Sequence, residues 1–296
     1  MLKVLEGPSL AERTTLRLGG RALAEVRVTS RDALDDLPGV LQRLGGSPLM
    51  LGCGSNILAA DGELPVVVVS VDMDDAPTIV GETAEGVVVR VGAATRLPRL
   101  LGQLASWGLA GLEGLAGIPG SVGGAVAMNA GSYGCEFGTV LRSVEVFSPD
   151  FGLADVPHES IEYAYRHFGL KGCHGWFVVT GADIVLRRGE SAAITAAMRA
   201  NYLKKKSTQP VLARSAGCVF RNPAPGVSAG RLIDEAGLRG KRIGGMAFSE
   251  VHANFLVNEG AGRSDEAFEL LQLAKEIVKR RHGMDLTLEV KILSWP

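Results

Sequence analysis

Two glycine-rich segments have the composition of phosphate-binding turns. The first, Gly52-Cys53-Gly54-Ser55-Asn56, follows the apolar run Leu49–Leu51, and the second, Gly117-Ile118-Pro119-Gly120-Ser121-Val122-Gly123-Gly124, begins about 65 residues later. Because glycine has no Cβ, the backbone N–H groups of such turns can come close to phosphate oxygens. The first loop alone is equally compatible with an ordinary tight turn. Two of them together suit a dinucleotide better than a mononucleotide.

The first loop does not satisfy the dinucleotide fingerprint of the Rossmann fold. That fingerprint requires Gly or Ala where Ile57 stands, and a helix that begins there. Asp72 lies at a suitable distance downstream, but a single acid in an acid-containing turn is weak support. The sequence therefore argues against a Rossmann domain.

Three further segments display polar or nucleophilic side chains. They are Glu162-Tyr163-Ala164-Tyr165-Arg166, the turn Ser215–Pro223 with Cys218 and Asn222, and His252-Ala253-Asn254-Phe255. Taken singly, each has a plainer interpretation. A Tyr-Arg pair often marks a strand edge, a lone cysteine is more often buried and structural than reactive, and a His-Asn turn is more often a satisfied polar turn than a site.

The elements that position these segments alternate between strands and helices. Runs of β-branched residues predict buried strands at Val66–Val71, Val87–Val91, Val144–Phe147 and Phe177–Val185. Helical spacing predicts helices over Leu97–Ala105, from Ser191 to near Pro210, and over Asp265–His282 with Ser264 as its cap. In the last strand, the alternation over Leu286–Ile292 places Glu289 on the polar face.

Length and charge limit the class of protein. A chain of 296 residues predicts two domains, with a boundary near residue 190. The net charge of −1 gives no general attraction to nucleic acid or to an anionic membrane. The first ten residues do not form a secretory signal, and the longest apolar run, Val66–Val71, is too short to span a bilayer.

The cysteines and histidines favour neither disulfides nor a metal site. Four cysteines lie far apart without a CxxC pair, which predicts a reduced, cytoplasmic protein. His167, Cys173 and His174 match no common metal-ligand spacing. We therefore expect no metal.

In this order, the segments resemble the UDP-N-acetylenolpyruvoylglucosamine reductase family. The resemblance extends from Thr15-Leu16-Arg17-Leu18-Gly19-Gly20 to Leu288-Glu289-Val290, and so covers nearly the whole chain. No long tyrosine-bearing insertion separates Arg166 from Cys218, which is typical of the shorter of the family's two subtypes. The resemblance implies an α+β protein: an FAD-binding domain of the vanillyl-alcohol oxidase/PCMH type in two lobes, about 1–70 and 71–190, followed by an α+β substrate-binding domain over 191–296.

The resemblance also implies the cofactors and their contacts. A hydride would pass from NADPH to FAD, and from there to the vinyl CH2 carbon of an enolpyruvyl UDP-sugar. The two glycine-rich loops would hold the FAD pyrophosphate and lie along the flavin. The implied FAD contacts are Gly52, Cys53, Gly54, Ser55, Asn56 and Ile57 in the first loop, and Gly117, Ile118, Gly120, Ser121, Gly123 and Gly124 in the second.

Three residues match the family's catalytic positions. Arg166 would bind the substrate carboxylate. Cys218 would donate the proton, and it stands where the family usually has serine. A thiol, with a pKa near 8.5, is a much stronger acid than a serine hydroxyl. Glu289 would either donate a hydrogen bond as a protonated acid or orient Arg166. The implied substrate contacts are Tyr133, Asn222, His252, Asn254 and, from the run Lys204–Lys206, Lys206.

The predicted activity is therefore the NADPH-dependent reduction of UDP-N-acetylenolpyruvoylglucosamine to UDP-N-acetylmuramate in peptidoglycan precursor synthesis. We expect a monomer that binds only the UDP-sugar, NADPH and FAD. Two alternatives stay open: an FAD-dependent sugar or alcohol oxidase of the same fold, and a non-catalytic flavin or nucleotide binder that has lost its proton donor. One departure from the family is that His167 and Phe168 follow Arg166, where a small polar residue is common.

Overall fold

The chain folds into two units of contacting residues. In the computed structural model, which describes residues 1–73, 75–164 and 166–294, unit 1 comprises Met1–Glu6, Ala24–Cys53 and Val66–Lys204. Unit 2 comprises Gly7–Leu23, Gly54–Pro65 and Lys205–Pro296. The predicted domain boundary near residue 190 stays a prediction.

Strands and helices are mixed along the whole chain. In chain order the strands are β1 (Leu2–Glu6), β2 (Arg21–Val28), β3 (Ser47–Met50), β4 (Ile57–Ala59), β5 (Glu63–Val71), β6 (Thr78–Thr83), β7 (Gly86–Gly92), β8 (Leu109–Ala110), β9 (Gly131–Ser132), β10 (Cys135–Glu136), β11 (Leu141–Ser148), β12 (Gly152–Pro157), β13 (Ile161–Ala164), β14 (His167–Leu170), β15 (Val178–Arg188), β16 (Ser215–Cys218), β17 (Arg242–Ile243), β18 (Met246–Phe248), β19 (Phe255–Asn258) and β20 (Lys291–Leu293). The α-helices are α1 (Leu10–Arg13), α2 (Leu37–Leu44), α3 (Leu97–Ser106), α4 (Val122–Ala127), α5 (Ser191–Thr208), α6 (Ala229–Glu235) and α7 (Ser264–His282).

Two sheets build unit 1. One has the order β1-β2-β5-β3, in which β3 and β5 pair in parallel, and the other has the order β12-β11-β15-β7-β6 with antiparallel pairing. Helices α3 and α4 bury their apolar faces against the second sheet, in a core that includes Val89, Leu100, Val126 and Ile184. The second glycine-rich segment leads directly into α4, so this core fixes its position.

Unit 2 has its own core around a four-stranded antiparallel sheet, β16-β19-β18-β17. Helices α6 and α7 contribute Leu232, Leu270 and Ala274 to this core, where they join Phe220 and Phe248. Strand β20 pairs in parallel with β4, which follows the first glycine-rich loop. Because β4 begins at Ile57, that loop leads into a strand, in agreement with the argument against a Rossmann domain.

The long helix α7 confirms the predicted helix but not its predicted cap. Ser264 is the first helical residue, and Asp61 accepts hydrogen bonds from its backbone N (2.8 Å) and its Oγ (2.9 Å). A carboxylate from a distant part of the sequence therefore joins the local capping bond from Arg263 N to Glu266 Oε2 (3.0 Å) at this helix end. At the other end Gly283 has a φ of 69°, the left-handed conformation that glycine favours after a helix.

The predicted strands within Val66–Val71, Val87–Val91 and Val144–Phe147 are confirmed as parts of β5, β7 and β11. At the C-terminus the regular strand is shorter than predicted and covers only Lys291–Leu293. The alternation is nevertheless present, since Leu286 and Val290 are buried while Thr287 is exposed. Of the helices described, none has both the length and the apolar character needed to cross a membrane.

Candidate functional site

Gly52 of the first glycine-rich loop and Ser121 of the second lie together in unit 1. A Cβ placed on Gly52 would lie 2.6 Å from Ser121 Oγ, so a side chain at Gly52 would collide with the second loop. The second loop is anchored by backbone hydrogen bonds from Leu97 N to Gly120 O (3.0 Å) and from Val122 N to Thr95 O (2.9 Å). Gly117 and Gly120 have φ values of 81° and 152°, which favour glycine. The sequence predicted both loops, and the structure brings these parts of them together.

The meeting point of the loops presents donors that suit an anion. Within the described residues, the backbone N–H groups of Gly52, Cys53 and Gly120 have no hydrogen-bond acceptor in the chain. The guanidinium of Arg96 lies beside them and donates from Nη1 to Cys53 Sγ over 3.0 Å. Backbone N–H groups next to an arginine form a site that suits phosphate oxygens.

Cys53 stays a neutral thiol at this point. Burial raises the pKa of its thiol, which outweighs the lowering by the nearby Arg96 charge and by hydrogen bonds from Ser121 and Arg96. A neutral thiol adds no negative charge next to a bound phosphate. Arg96 itself was not among the predicted site residues, because a lone arginine at the start of a helix carries no recognisable pattern.

Arg166 lies against the turn that follows α4. Its Nη2 donates to Gly131 O over 3.0 Å, and its Nη1 donates to Asn129 O over 3.4 Å. A Cβ on Gly131 would lie 3.3 Å from Arg166 Nη1, so the absence of a side chain there makes room for the guanidinium. The turn therefore places a cation through backbone carbonyl groups. Tyr165, the neighbour of Arg166 in the predicted motif, lies outside the described residues.

Tyr133 and a lysine form a second pair in the same unit. Lys204 Nζ lies 5.0 Å from the centroid of the Tyr133 ring, a distance at which a cation and an aromatic face attract each other. Lys205 is buried and belongs to unit 2, as does the exposed Lys206. The predicted contact of Lys206 with substrate stays a prediction, whereas Lys204 is the lysine of the run beside Tyr133.

In unit 2 the segments of Cys218 and Glu289 are neighbours. Cys218 ends β16 and pairs with Phe255 of β19. The next residue, Val219, accepts a hydrogen bond at its carbonyl from Glu289 N over 2.8 Å. Phe220 and Leu288 continue this pairing as an isolated antiparallel bridge. The two predicted catalytic residues of this unit, far apart in sequence, are thus held on adjoining stretches of backbone.

Asn254 fixes this pairing from the side. Its Nδ2 donates to Phe220 O over 2.8 Å, while its Oδ1 accepts from Phe220 N over 3.0 Å. Its own carbonyl accepts from Val219 N over 2.9 Å. The side chain is only 3% exposed. Both the oxygen and the nitrogen of the amide therefore form hydrogen bonds with the backbone near Cys218. Contact of Asn254 with substrate stays a prediction.

His252 orients Asn254. Its Nδ1 accepts from Asn254 N over 3.2 Å, so the proton of the neutral ring is on Nε2. Burial, and secondarily the charge of Arg239, lowers the pKa of His252 below its usual value. The imidazole packs edge to face against Phe255, with ring centroids 5.1 Å apart. A neutral histidine therefore belongs to the same polar turn.

Two further predicted residues lie close to this group of segments. Asn56 Nδ2 donates to Glu289 O over 3.1 Å, and Asn56 O accepts from Lys291 N over 3.0 Å. Asn56, the last residue of the first glycine-rich loop, is thus joined to the Glu289 segment within unit 2. Asn222 Oδ1 accepts from Ala229 N over 3.0 Å, at the start of α6.

Arg166 belongs to unit 1, whereas Cys218 and Glu289 belong to unit 2. The predicted convergence of all three around one substrate accordingly stays a prediction. Among the residues that the structure describes, no group of three or more His, Cys, Asp or Glu side chains is arranged to hold a metal ion.

Comparison with known protein families identifies both parts of the chain. Residues 22–151 match the family described as FAD binding domain. Residues 209–293 match the C-terminal domain of UDP-N-acetylenolpyruvoylglucosamine reductase. The predicted α+β fold, with an FAD-binding domain followed by a separate C-terminal domain, is confirmed.

Relatives match this chain from end to end. A UDP-N-acetylenolpyruvoylglucosamine reductase of Nitratidesulfovibrio vulgaris is 98% identical over 295 residues and covers 100% of both chains. The reductase of Bacillus subtilis is 34% identical and covers 98% of this chain and 94% of its own. Among solved structures, the UDP-N-acetylenolpyruvylglucosamine reductase of Thermus caldophilus shares 35% identity and a TM-score of 0.82, with 100% of both chains covered.

Proposed function

Because the chain belongs to the UDP-N-acetylenolpyruvoylglucosamine reductase family, we propose that it reduces UDP-N-acetylenolpyruvoylglucosamine to UDP-N-acetylmuramate with FAD and NADPH, in peptidoglycan precursor synthesis. The observation that carries this proposal is the 98% identity, over the whole chain, to a protein of that name. The C-terminal family match adds to it, because it covers the part of the chain that contains both Cys218 and Glu289. An oxidase of the same fold is not favoured.

The loops of unit 1 fit the diphosphate of FAD. A side chain on Gly52 would force Ser121 Oγ to shift, and the N–H groups of Gly52, Cys53 and Gly120 are available to phosphate oxygens in the described structure. We propose that these residues hold the cofactor together with Gly54–Ile57, Gly117, Ile118, Ser121, Gly123 and Gly124. When bound, FAD accepts a hydride from NADPH and supplies it to the substrate double bond.

Arg166 binds the substrate carboxylate in this proposal. As a hydride reaches the vinyl CH2 carbon, negative charge develops on the neighbouring carbon and its carboxylate. A guanidinium held by the carbonyl groups of Asn129 and Gly131 stabilises that charge without having to reorganise. Its planar array of donors suits a carboxylate better than the single ammonium of a lysine would.

Cys218 supplies the proton. Its S–H donates to the carbon that bears the carboxylate, so the double bond gains a hydride at one carbon and a proton at the other. The resulting thiolate regains a proton from solvent, and the net reaction consumes NADPH and one proton. Glu289 acts in the same catalysis, either as a protonated acid that donates a hydrogen bond or by orienting Arg166. Its backbone N donates to the carbonyl of Val219, the residue that follows Cys218.

The remaining assignments follow the same proposal. Residues 1–190 form the FAD-binding domain, in lobes of about 1–70 and 71–190, and residues 191–296 form the substrate-binding domain. Tyr133, Asn222, His252, Asn254 and Lys206 contribute to the substrate region. We propose that the enzyme acts as a monomer in the cytoplasm.

An anaerobic experiment in two steps tests the function. Protein reconstituted with FAD is first mixed with NADPH, and the loss of flavin absorbance is followed. The enolpyruvyl UDP-sugar is then added without oxygen. The proposal predicts stoichiometric return of the absorbance and formation of UDP-N-acetylmuramate. Flavin that stays reduced with the sugar, or that responds to sugar or alcohol substrates only as an oxygen-consuming oxidase, would overturn it.

A further inference from the structure

A buried amide links the turn that holds Arg166 to the segment that carries it. Asn129 is 4% exposed, and its side chain makes three hydrogen bonds. Oδ1 accepts from Gly138 N over 3.0 Å, while Nδ2 donates to Glu136 Oε2 over 3.1 Å and to Ala164 O over 3.4 Å. Ala164 precedes Arg166 by two residues. The side chain therefore spans from the end of β13 to the turn around β9 and β10.

The backbone of Asn129 contacts the guanidinium directly. Asn129 O accepts from Arg166 Nη1, and Gly131 O, two residues later, accepts from Nη2. The same residue thus holds the main chain before Arg166 with its side chain and the guanidinium with its carbonyl group. A shift of Asn129 would move both ends of the Arg166 side chain.

The backbone at this point adopts conformations that most residues avoid. Asn129, Tyr133 and Arg166 have φ values of 39°, 51° and 55°. Asparagine tolerates the left-handed region better than most residues, but arginine and tyrosine are uncommon there. Such conformations persist where the surrounding contacts determine them. The hydrogen bonds of Asn129 are contacts of that kind.

We propose that Asn129 is a positioning residue, which acts through Arg166 to set the place of the substrate carboxylate. Glu136 assists by accepting a hydrogen bond from the Asn129 amide. This inference rests on the proposed function, in which Arg166 binds that carboxylate. A displacement of about 1 Å in a catalytic group can cost on the order of 100-fold in rate. Loss of the amide is therefore expected to slow hydride transfer to the enolpyruvyl sugar by roughly 10- to 100-fold.

The test uses Asn129→Gly, because glycine keeps the positive φ and removes only the side chain. Asn201→Ala is the matched control, since Asn201 Nδ2 also donates to a backbone carbonyl in unit 1, that of Glu113, over 3.1 Å. Both variants are reconstituted with FAD, and the two half-reactions are measured separately under anaerobic conditions. We expect Asn129→Gly to retain flavin reduction by NADPH and to lose reoxidation by the sugar. Asn201→Ala should retain both.

A double-mutant cycle separates positioning from general scaffolding. Arg166→Lys keeps the charge but removes the forked donors that contact Asn129 and Gly131. If Asn129 acts through Arg166, Asn129→Gly should slow reoxidation little further in the Arg166→Lys protein. A merely structural residue would cause the same fold loss in both backgrounds. Hydrogen exchange of the peptide that contains Arg166 gives a readout without turnover, and it should increase in Asn129→Gly but not in Asn201→Ala.

Each outcome distinguishes the inference from the proposed function. If the wild-type flavin is not reoxidised by the sugar, the proposed function fails and the inference fails with it. If the wild type reacts and Asn129→Gly matches Asn201→Ala, or loses both half-reactions equally, only the inference is overturned. Should Asn129→Gly not retain FAD, Glu136→Ala replaces it, because Glu136 is only half-buried and its loss removes one partner of the amide. Glu136→Ala must then slow flavin reoxidation by the sugar more than flavin reduction by NADPH. Equal effects on the two half-reactions would reject the inference.

Discussion

Replacing Asn254 with alanine should weaken unit 2 and displace Cys218. The substitution removes the amide whose two ends bond to Phe220 N and Phe220 O, at 3.0 and 2.8 Å. Phe220 is 1% exposed, so both backbone groups would stay buried without a partner. An unsatisfied buried polar group costs about 1–3 kcal/mol, which gives a loss of about 2–6 kcal/mol in the free energy of unfolding. This is a large part of the stability of an ordinary domain, about 5–15 kcal/mol.

The matched control for this substitution is Asn258→Ala. Asn258 is also buried in unit 2, and its Nδ2 donates to Leu16 O and Arg17 O over 3.1 and 3.2 Å. Its loss should cost a similar free energy but leave the backbone beside Cys218 in place. We expect both variants to unfold at a lower denaturant concentration than the wild type. Only in Asn254→Ala should the rate of flavin reoxidation by the sugar, corrected for the fraction of folded protein, also fall.

Because two units need not unfold together, the assay combines denaturant unfolding with hydrogen exchange of the peptide that spans residues 215–222. Exchange of this peptide should be faster in Asn254→Ala than in Asn258→Ala. If Asn254→Ala lowered the free energy of unfolding by less than about 1 kcal/mol, the buried groups of Phe220 would not depend on the Asn254 amide as we argue. Equal losses of reoxidation rate in the two variants would contradict the link between Asn254 and Cys218.

Two other substitutions test the cofactor loop and the charge state of His252. Gly52→Ala should raise the dissociation constant for FAD, because a Cβ 2.6 Å from Ser121 Oγ would displace that hydroxyl from its hydrogen bond with Gly124 N at the start of α4. Gly102→Ala, in α3 with no atom within 4 Å, should leave FAD binding unchanged, and equal affinities in a flavin titration would count against the loop assignment. The folded-state pKa of His252 is lowered, so the unfolded chain binds the proton more readily, and stability present above a pH of about 6.5 falls as the pH drops below it. Urea unfolding of unit 2 at pH 7 and 5.5 should therefore show a larger loss in the wild type than in His252→Gln, and identical losses would refute the assignment.

The sequence predicted the parts of this protein that depend on local pattern. The strands around Val68, Val89 and Val146 and the helices α3 and α7 follow from apolar spacing, and the structure confirms them. The family resemblance and the FAD-binding fold are confirmed by the comparisons. The composition of the two glycine-rich loops predicted phosphate-binding turns, but the approach of Gly52 to Ser121 is visible only in the structure.

Other features depend on contacts between distant residues and leave no local signal. Nothing near Asp61 indicates that its carboxylate satisfies the start of α7, about 200 residues later in the chain. Asn129 has no local signal, because its role depends on contacts with Glu136, Gly138 and Ala164. The sequence marked Asn254 as a candidate polar residue, but it did not predict that the amide would bond to the backbone of Phe220. The domain boundary and the site roles of the individual residues stay predictions.

The proton donor is the part of the account that a single kinetic measurement tests most directly. The rate at which the sugar reoxidises NADPH-reduced flavin is measured without oxygen in Cys218→Ser and Cys218→Ala, beside the wild type. The account predicts normal flavin reduction in all three proteins, substantial reoxidation in Cys218→Ser, and loss of most reoxidation in Cys218→Ala. An alanine variant that reoxidises as fast as the wild type, or that loses both half-reactions to the same extent, would contradict the role of Cys218.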